Sequence, residues 1–167
     1  MGTRGSWGYR LDGALKVTYN HFDSYPSGLG AAVHRHARDL AEDPEARTKV
    51  AALTLVDEDD APTAEQLAAL RNVTGDVSEA RDWYWALHGL QGDPGAILSA
   101  GYMTDGRDFA EHGSRCMWVY VIDMDAGELI VHAGDMSTPV VASWPLTGLP
   151  SAEEFQWAAV RDPSIPL

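Results

Sequence analysis

Met117-Trp118-Val119-Tyr120-Val121-Ile122 is the stretch on which the fold turns. Six apolar residues in a row, rich in aromatic and β-branched types, predict a strand covered on both faces at the centre of a sheet. Asp123-Met124-Asp125-Ala126-Gly127-Glu128 then reads as a turn, Leu129-Ile130-Val131-His132 as the return strand, and Val140 to Trp144 as another. At the other end of the chain Trp7, Tyr9 and Leu11 alternate with Gly8 and Arg10. Leu15, Val17 and Tyr19 alternate with Lys16, Thr18 and Asn20. That is the period of a half-buried strand, and Asp12-Gly13 between the two runs is a two-residue hairpin signal, because glycine accepts positive φ. A lone hairpin cannot bury its own face. The hairpin at 5–20 and the strands at 117–132 are therefore expected in one sheet.

Between them the pattern is helical. Gly28-Leu29-Gly30 opens a helix running to about Glu42, which Asp43-Pro44 ends. Residues 45–53 form a short helix or run on toward a strand at 53–56. Thr63 with Gln66 makes a capping box ahead of Leu67 and Leu70. Ser78 is read as the cap of a helix over 79–88, and Asp93-Pro94 as the start of a short helix through Ser99. The stretch from Gly101 to Ser114 reads as a loop. Ser151 with Glu154 makes a second capping box for a helix over 152–160, and the tail 162–167 reads as extended. The fold class expected is α+β: an antiparallel sheet of the N-terminal hairpin plus the C-terminal strands, covered by helices, in a single domain over 1–167.

Charge and composition narrow the function. The 167 residues carry 25 Asp+Glu against 12 Lys+Arg, a net charge of −13. A nucleic-acid or anionic-membrane binder needs the opposite sign, so neither partner is expected. No apolar run approaches the roughly 20 residues of a membrane span, and the start has no signal-peptide pattern. The single cysteine excludes an intramolecular disulfide and a cysteine-based zinc site, and fits a reducing, cytoplasmic setting. Cys116 itself reads as a buried structural thiol. No motif implies a cofactor. His34 and His36, two apart on a helix, point to different faces, whereas paired ligands stand three or four apart, so no metal site is expected. Asp57 to Asp60 lacks the glycine and terminal glutamate of a calcium loop. Trp83 and Trp85 cannot both face inward from one helix.

The strongest candidate site is the loop Asn20 to Gly30, where a strand hands over to a helix. Asn20, His21, Asp23 and Tyr25, with the amides of Gly28 and Gly30 at the helix start, are read as lining one polar pocket for an anion. Arg4, near the start of the first strand, is a cation for that pocket or pairs with an acid. The other reading makes the loop a structural corner: Asp23 caps the turn, Tyr25-Pro26 packs, and the glycines satisfy tight backbone angles.

Three stretches also resemble a known family. Met1-Gly2-Thr3-Arg4-Gly5, the run Tyr19-Asn20-His21-Phe22-Asp23-Ser24-Tyr25-Pro26-Ser27-Gly28-Leu29-Gly30, and Trp118-Val119-Tyr120-Val121-Ile122-Asp123 are similar in order and spacing to an uncharacterised family of phages, bacteria and some fungi. Its pattern is an N-terminal MGTR, an aromatic-Asp-x-Tyr-Pro-x-Gly-x-Gly loop and a later Tyr-Val-Ile-Asp strand. The resemblance implies a phage or bacterial setting. The layout is also similar, at the level of fold, to N-terminal-nucleophile hydrolases, including class II glutamine amidotransferases. Those enzymes need Cys, Ser or Thr as first residue. Removal of Met1 would leave Gly2, so Thr3 would serve only after a second trimming.

Three functions follow as expectations. The first is an accessory protein of a phage or mobile element that binds a host protein or a small anionic molecule. The second is an amide hydrolase with Thr3 as nucleophile. The third is an acidic nucleic-acid mimic, although the acids are scattered rather than arranged in a stripe.

Overall fold

The alternating runs at the N-terminus form strands β1 (Gly5–Leu11) and β2 (Ala14–Asn20), joined at Asp12 and Gly13 with φ of 51° and 75°. Two successive positive φ values define the hairpin turn whose twist matches that of its strands. The structure is a computed structural model and describes residues 2–160; the tail expected at 162–167 lies outside them. Strand β5 (Trp118–Asp123) occupies the middle of a five-stranded sheet ordered β2-β1-β5-β6-β7, with β6 (Glu128–His132) and β7 (Val140–Pro145) beyond it. Hairpin and C-terminal strands thus share one sheet, as expected.

The sheet is mostly antiparallel, with one departure from the expected pattern. β1 and β5 run parallel, from Gly5 opposite Trp118 to Arg10 opposite Asp123. The cause is the helical crossover between β2 and β5, which returns the chain to the edge where β1 began; parallel strands require a connection of that kind. A close approach fixes one residue of the hairpin: a Cβ on Gly8 would lie 1.9 Å from the Lys16 carbonyl oxygen.

The crossover contains α1 (Ala31–Glu42), α2 (Ala46–Ala52), β3 (Thr54–Val56), α3 (Ala64–Thr74), α4 (Trp83–Leu87), α5 (Pro94–Ala100), β4 (Tyr102–Thr104) and α6 (Arg107–His112). After the sheet comes α7 (Ala152–Val160). The capping boxes of α3 and α7 form as their sequences indicate, Thr63 with Gln66 and Ser151 with Glu154. Two expectations change. The helix expected over 79–88 begins only at Trp83, because Asp82, not Ser78, accepts the Trp85 amide as cap. The stretch expected as a loop from Gly101 to Ser114 contains β4 and α6. β4 gains its structure from a parallel pairing with β3, a tertiary partner that local sequence does not announce.

The two faces of the sheet differ. Trp7, Tyr9, Leu11, Tyr120, Ile122, Leu129 and Val131 belong to one large core with Val33, Ala37 and Leu40 of α1, Val50 of α2 and Phe155 of α7. Full burial of side chains of this size contributes roughly 1.5–3 kcal/mol each. On the other face a thinner cluster of Val17, Val119 and Val121 is closed by Ala110 of α6 and by Cys116. Trp83 is buried and Trp85 is exposed, resolving their competition as the helical spacing requires. Lys16 reaches over the large core to the end of α2, where its ammonium donates to the carbonyls of Val50, Ala51 and Leu53 at 2.8, 2.9 and 2.6 Å. A helix C-terminus leaves its last carbonyls short of partners, and of these three Val50 also accepts the Leu53 amide at 3.2 Å.

Candidate functional site

The loop from Asn20 to Gly30 is braced from within. Asn20 is buried, and its side-chain amide donates to the Phe22 carbonyl and to the Ser24 hydroxyl. The Ser24 amide donates to the Thr3 carbonyl, and the buried Tyr120 hydroxyl donates to the Ser24 carbonyl at 3.0 Å. Asp23 takes φ of 52°, a left-handed conformation that aspartate tolerates better than most residues. Its carbonyl accepts the Leu29 amide at 2.8 Å.

The expected helix start at Gly28 is instead one π-type turn over Pro26–Gly30, ahead of α1. That turn corrects the anion reading. The amides of Gly28 and Gly30 both donate to the Tyr25 carbonyl, at 3.0 and 3.1 Å, so neither is available to a bound anion. Gly30 is buried against Tyr120, whose hydroxyl a Cβ there would meet at 2.9 Å.

The single pocket expected from the sequence divides into two surfaces. Asn20, Asp23 and Gly28 do line one cavity of about 340 Å³, together with Phe22, Gln91 and Gly92. His21 turns away from it: its Nδ1 is 2.6 Å from the Tyr19 hydroxyl. Tyr25 stands in solvent, 51% exposed. Arg4 is on the His21 side, where its charge partly offsets the upward push that burial gives the Tyr19 hydroxyl. Thr3 is buried and follows Gly2 in the chain.

The second surface is one the sequence reading missed. Phe22, 63% exposed, meets the His21 ring edge-on at 4.2 Å. His21 meets Tyr19 at 5.7 Å, and Tyr19 meets Phe109 of α6 at 4.9 Å. The four rings form a continuous row from the loop onto α6. The Tyr19–His21 part follows from strand alternation; Phe109 joins only because Gly106, whose amide donates to the Val17 carbonyl at 2.7 Å, fixes the start of α6 against β2. Near the row lies an acidic hollow of about 600 Å³, with Asp57, Glu58, Asp59, Asp105, Asp108 and Glu111 in its walls beside His112 and Arg107, which pairs with Asp105 at 2.6 Å. Burial, then the charges of Asp59, Asp57 and Asp82, push the Glu58 carboxyl up.

Cys116 is buried, and that burial pushes its thiol up to about 11. His34 and His36 are both buried but face different neighbours: His34 the Pro150 carbonyl, His36 the Tyr9 hydroxyl. Among the described residues no group of three or more His, Cys, Asp or Glu side chains is placed to hold a metal ion, and no helix is long and apolar enough to cross a membrane. No family model matches the chain, and neither a curated protein nor a solved structure does.

Proposed function

We propose that this chain is an accessory binding protein that engages a partner protein through the aromatic row Phe22–His21–Tyr19–Phe109. The observation that carries the reading is the continuous row of four rings, which ends on α6 at Phe109, between Asp108 and the Glu111 side of the acidic hollow. Phe22 is exposed and Tyr19, His21 and Phe109 are half-buried beneath it; aromatic side chains on a rigid support lose little entropy on binding and act as anchors. The loop beneath them holds a strained Asp23, and such strain persists where the surroundings fix it, often at binding sites. Five carboxylates of the hollow beyond the Arg107–Asp105 pair favour a partner with a basic rim, and they would speed its encounter.

Of the two occupants expected from the sequence, the partner protein is favoured over the small anion, since the amides of Gly28 and Gly30 are already engaged. In the phage or mobile-element setting implied by the family resemblance, the partner is a host protein of the cytoplasm. The amide-hydrolase reading is less favoured, because Thr3 is buried behind Gly2. The nucleic-acid mimic is less favoured too, because six acids line one hollow and the rest are dispersed rather than set along a stripe.

The test replaces Phe22 and Tyr19 with Ala and Phe109 with Ser in separate variants. A photo-crosslinking residue at exposed Tyr25 reports capture from a lysate of the natural source. One saturable adduct that each variant weakens at least about tenfold, with unchanged circular dichroism, supports the reading. An adduct of equal yield in all variants, or none in the wild type, overturns it.

A further inference from the structure

A second site stands apart from that surface, between α1, α2 and α5. His36, Asp39 and Leu40 come from one face of α1, Asp43 follows that helix, Lys49 comes from α2, and Gly95, Leu98 and Ser99 from α5; they line an open hollow of about 440 Å³. His36 is 8% exposed, and its Nε2 is 2.6 Å from the hydroxyl of Tyr9, a residue with no exposure at all. Among the described residues the Tyr9 hydroxyl has no other hydrogen-bond partner, so its proton points to Nε2. That assigns the remaining imidazole proton to Nδ1. Nδ1 has no partner among the described residues, and it faces Gly95, whose added Cβ would lie 4.0 Å from it. The ring is buried, yet this nitrogen is open to the cavity and finds no acceptor among the described residues. Burial holds the ring neutral at ordinary pH, pushing it down to about 4 against the opposing charges of Asp39 and Asp93.

The rest of the lining supplies complementary charges. Lys49 bonds Asp43 at 2.6 Å through one of its three N–H groups and has two more to give. Asp39 makes no hydrogen bond or ion pair with the described residues, and is the acceptor on the α1 side. Leu40 and Leu98 provide apolar wall.

We propose that this cavity binds a small zwitterion, an α-amino acid with an apolar side chain. Its carboxylate accepts from His36 Nδ1–H and from Lys49, its ammonium donates to Asp39, and its side chain lies on Leu40 and Leu98. Each feature of the ligand answers a group already in place: an imidazole N–H open to the cavity with a neighbouring cation, an exposed carboxylate without a partner among the described residues, and an apolar wall.

L-Leucine is the probe, with 4-methylpentanoate (leucine without its ammonium) and 3-methylbutylamine (leucine without its carboxylate) as controls. Binding is read from the His36 ring resonances on titration into the millimolar range. The expected result is a saturable shift with leucine and at least tenfold weaker binding of both controls. Gly95→Ala places a methyl in ordinary contact with Asp93 and His36, at 3.7 and 4.0 Å, so the variant keeps the fold while narrowing the cavity. It should weaken leucine at least tenfold, and so should Asp39→Asn. No saturable shift with leucine, methionine or phenylalanine overturns the proposal. So does equal binding of either control, or leucine affinity unchanged in both variants.

Discussion

Acid should destabilise this protein through His36 before its carboxylates titrate. The perturbation is a fall in pH, compared between the wild type and His36→Gln. In the fold, burial pushes the imidazole from its ordinary 6.5 down to about 4, and the nearby charges of Asp39 and Asp93 only partly resist. The unfolded chain takes up a proton near pH 6.5; the folded chain resists until about pH 4. Between those values the unfolded state binds more protons, so stability falls as pH falls, and the loss is complete below about pH 4. At about 1.4 kcal/mol for each pH unit of that window, the whole effect is about 3 kcal/mol. That is a large part of the 5–15 kcal/mol typical of a domain. Urea unfolding between about pH 7.5 and 4.5 measures it, with the carboxylates common to both proteins cancelling in the comparison. Burial also lowers His34, which faces the Pro150 carbonyl and Arg38; it contributes in the same direction in both proteins and cancels too. A wild-type decline no steeper than that of His36→Gln refutes the reasoning. So does a His36 ring that titrates near its ordinary value by nuclear magnetic resonance.

Lys16→Met keeps the aliphatic stem but takes away the donor to three helix-end carbonyls. It should cost about 1.5–3 kcal/mol in urea unfolding, with faster amide exchange in α2; an unchanged midpoint contradicts that role. Burial pushes the Cys116 thiol up to about 11, so near neutral pH it should react slowly with a disulfide reagent until denaturant is added. Cys116→Ser should cost roughly 1 kcal/mol and leave partner binding intact. Rapid labelling of the native protein, or lost binding at an unchanged melting temperature, goes against a packing role.

What the sequence discloses is mostly local. The hairpin was legible because Asp12-Gly13 demands positive φ and the flanking alternation sets two faces. The capping boxes at Thr63 and Ser151 were legible because their partners lie three residues away. The parallel joint between β1 and β5 was not, since nothing near Trp118 records which strand will lie beside it. β4 failed for the same reason: Tyr102-Met103-Thr104 becomes a strand only beside Thr54-Leu55-Val56. At the site the sequence marks the loop but not where its polar groups find their partners. Asn20, Gly28 and Gly30 looked like ligand groups, yet they bond within the loop. The aromatic row was invisible because Phe109 arrives from a segment read as loop. Nothing near His36 in the sequence announces its partner, the Tyr9 hydroxyl 27 residues away.

The parallel joint also bears on how the chain is made. β1 leaves the ribosome well before β5, and β2, which follows it directly, can close against one of its edges at once. The other edge has to wait for β5, more than a hundred residues later, which at about 5–20 residues per second is roughly 5 to 20 seconds of synthesis. During that interval Trp7, Tyr9 and Leu11 have only α1 and the helices after it as cover, and an unpaired strand edge is open to another nascent chain. Expression is therefore expected to be limited by nascent-chain association rather than by the stability of the finished protein. Slower initiation, which spaces ribosomes apart on the message, should raise the soluble yield more than any stabilising substitution on the surface.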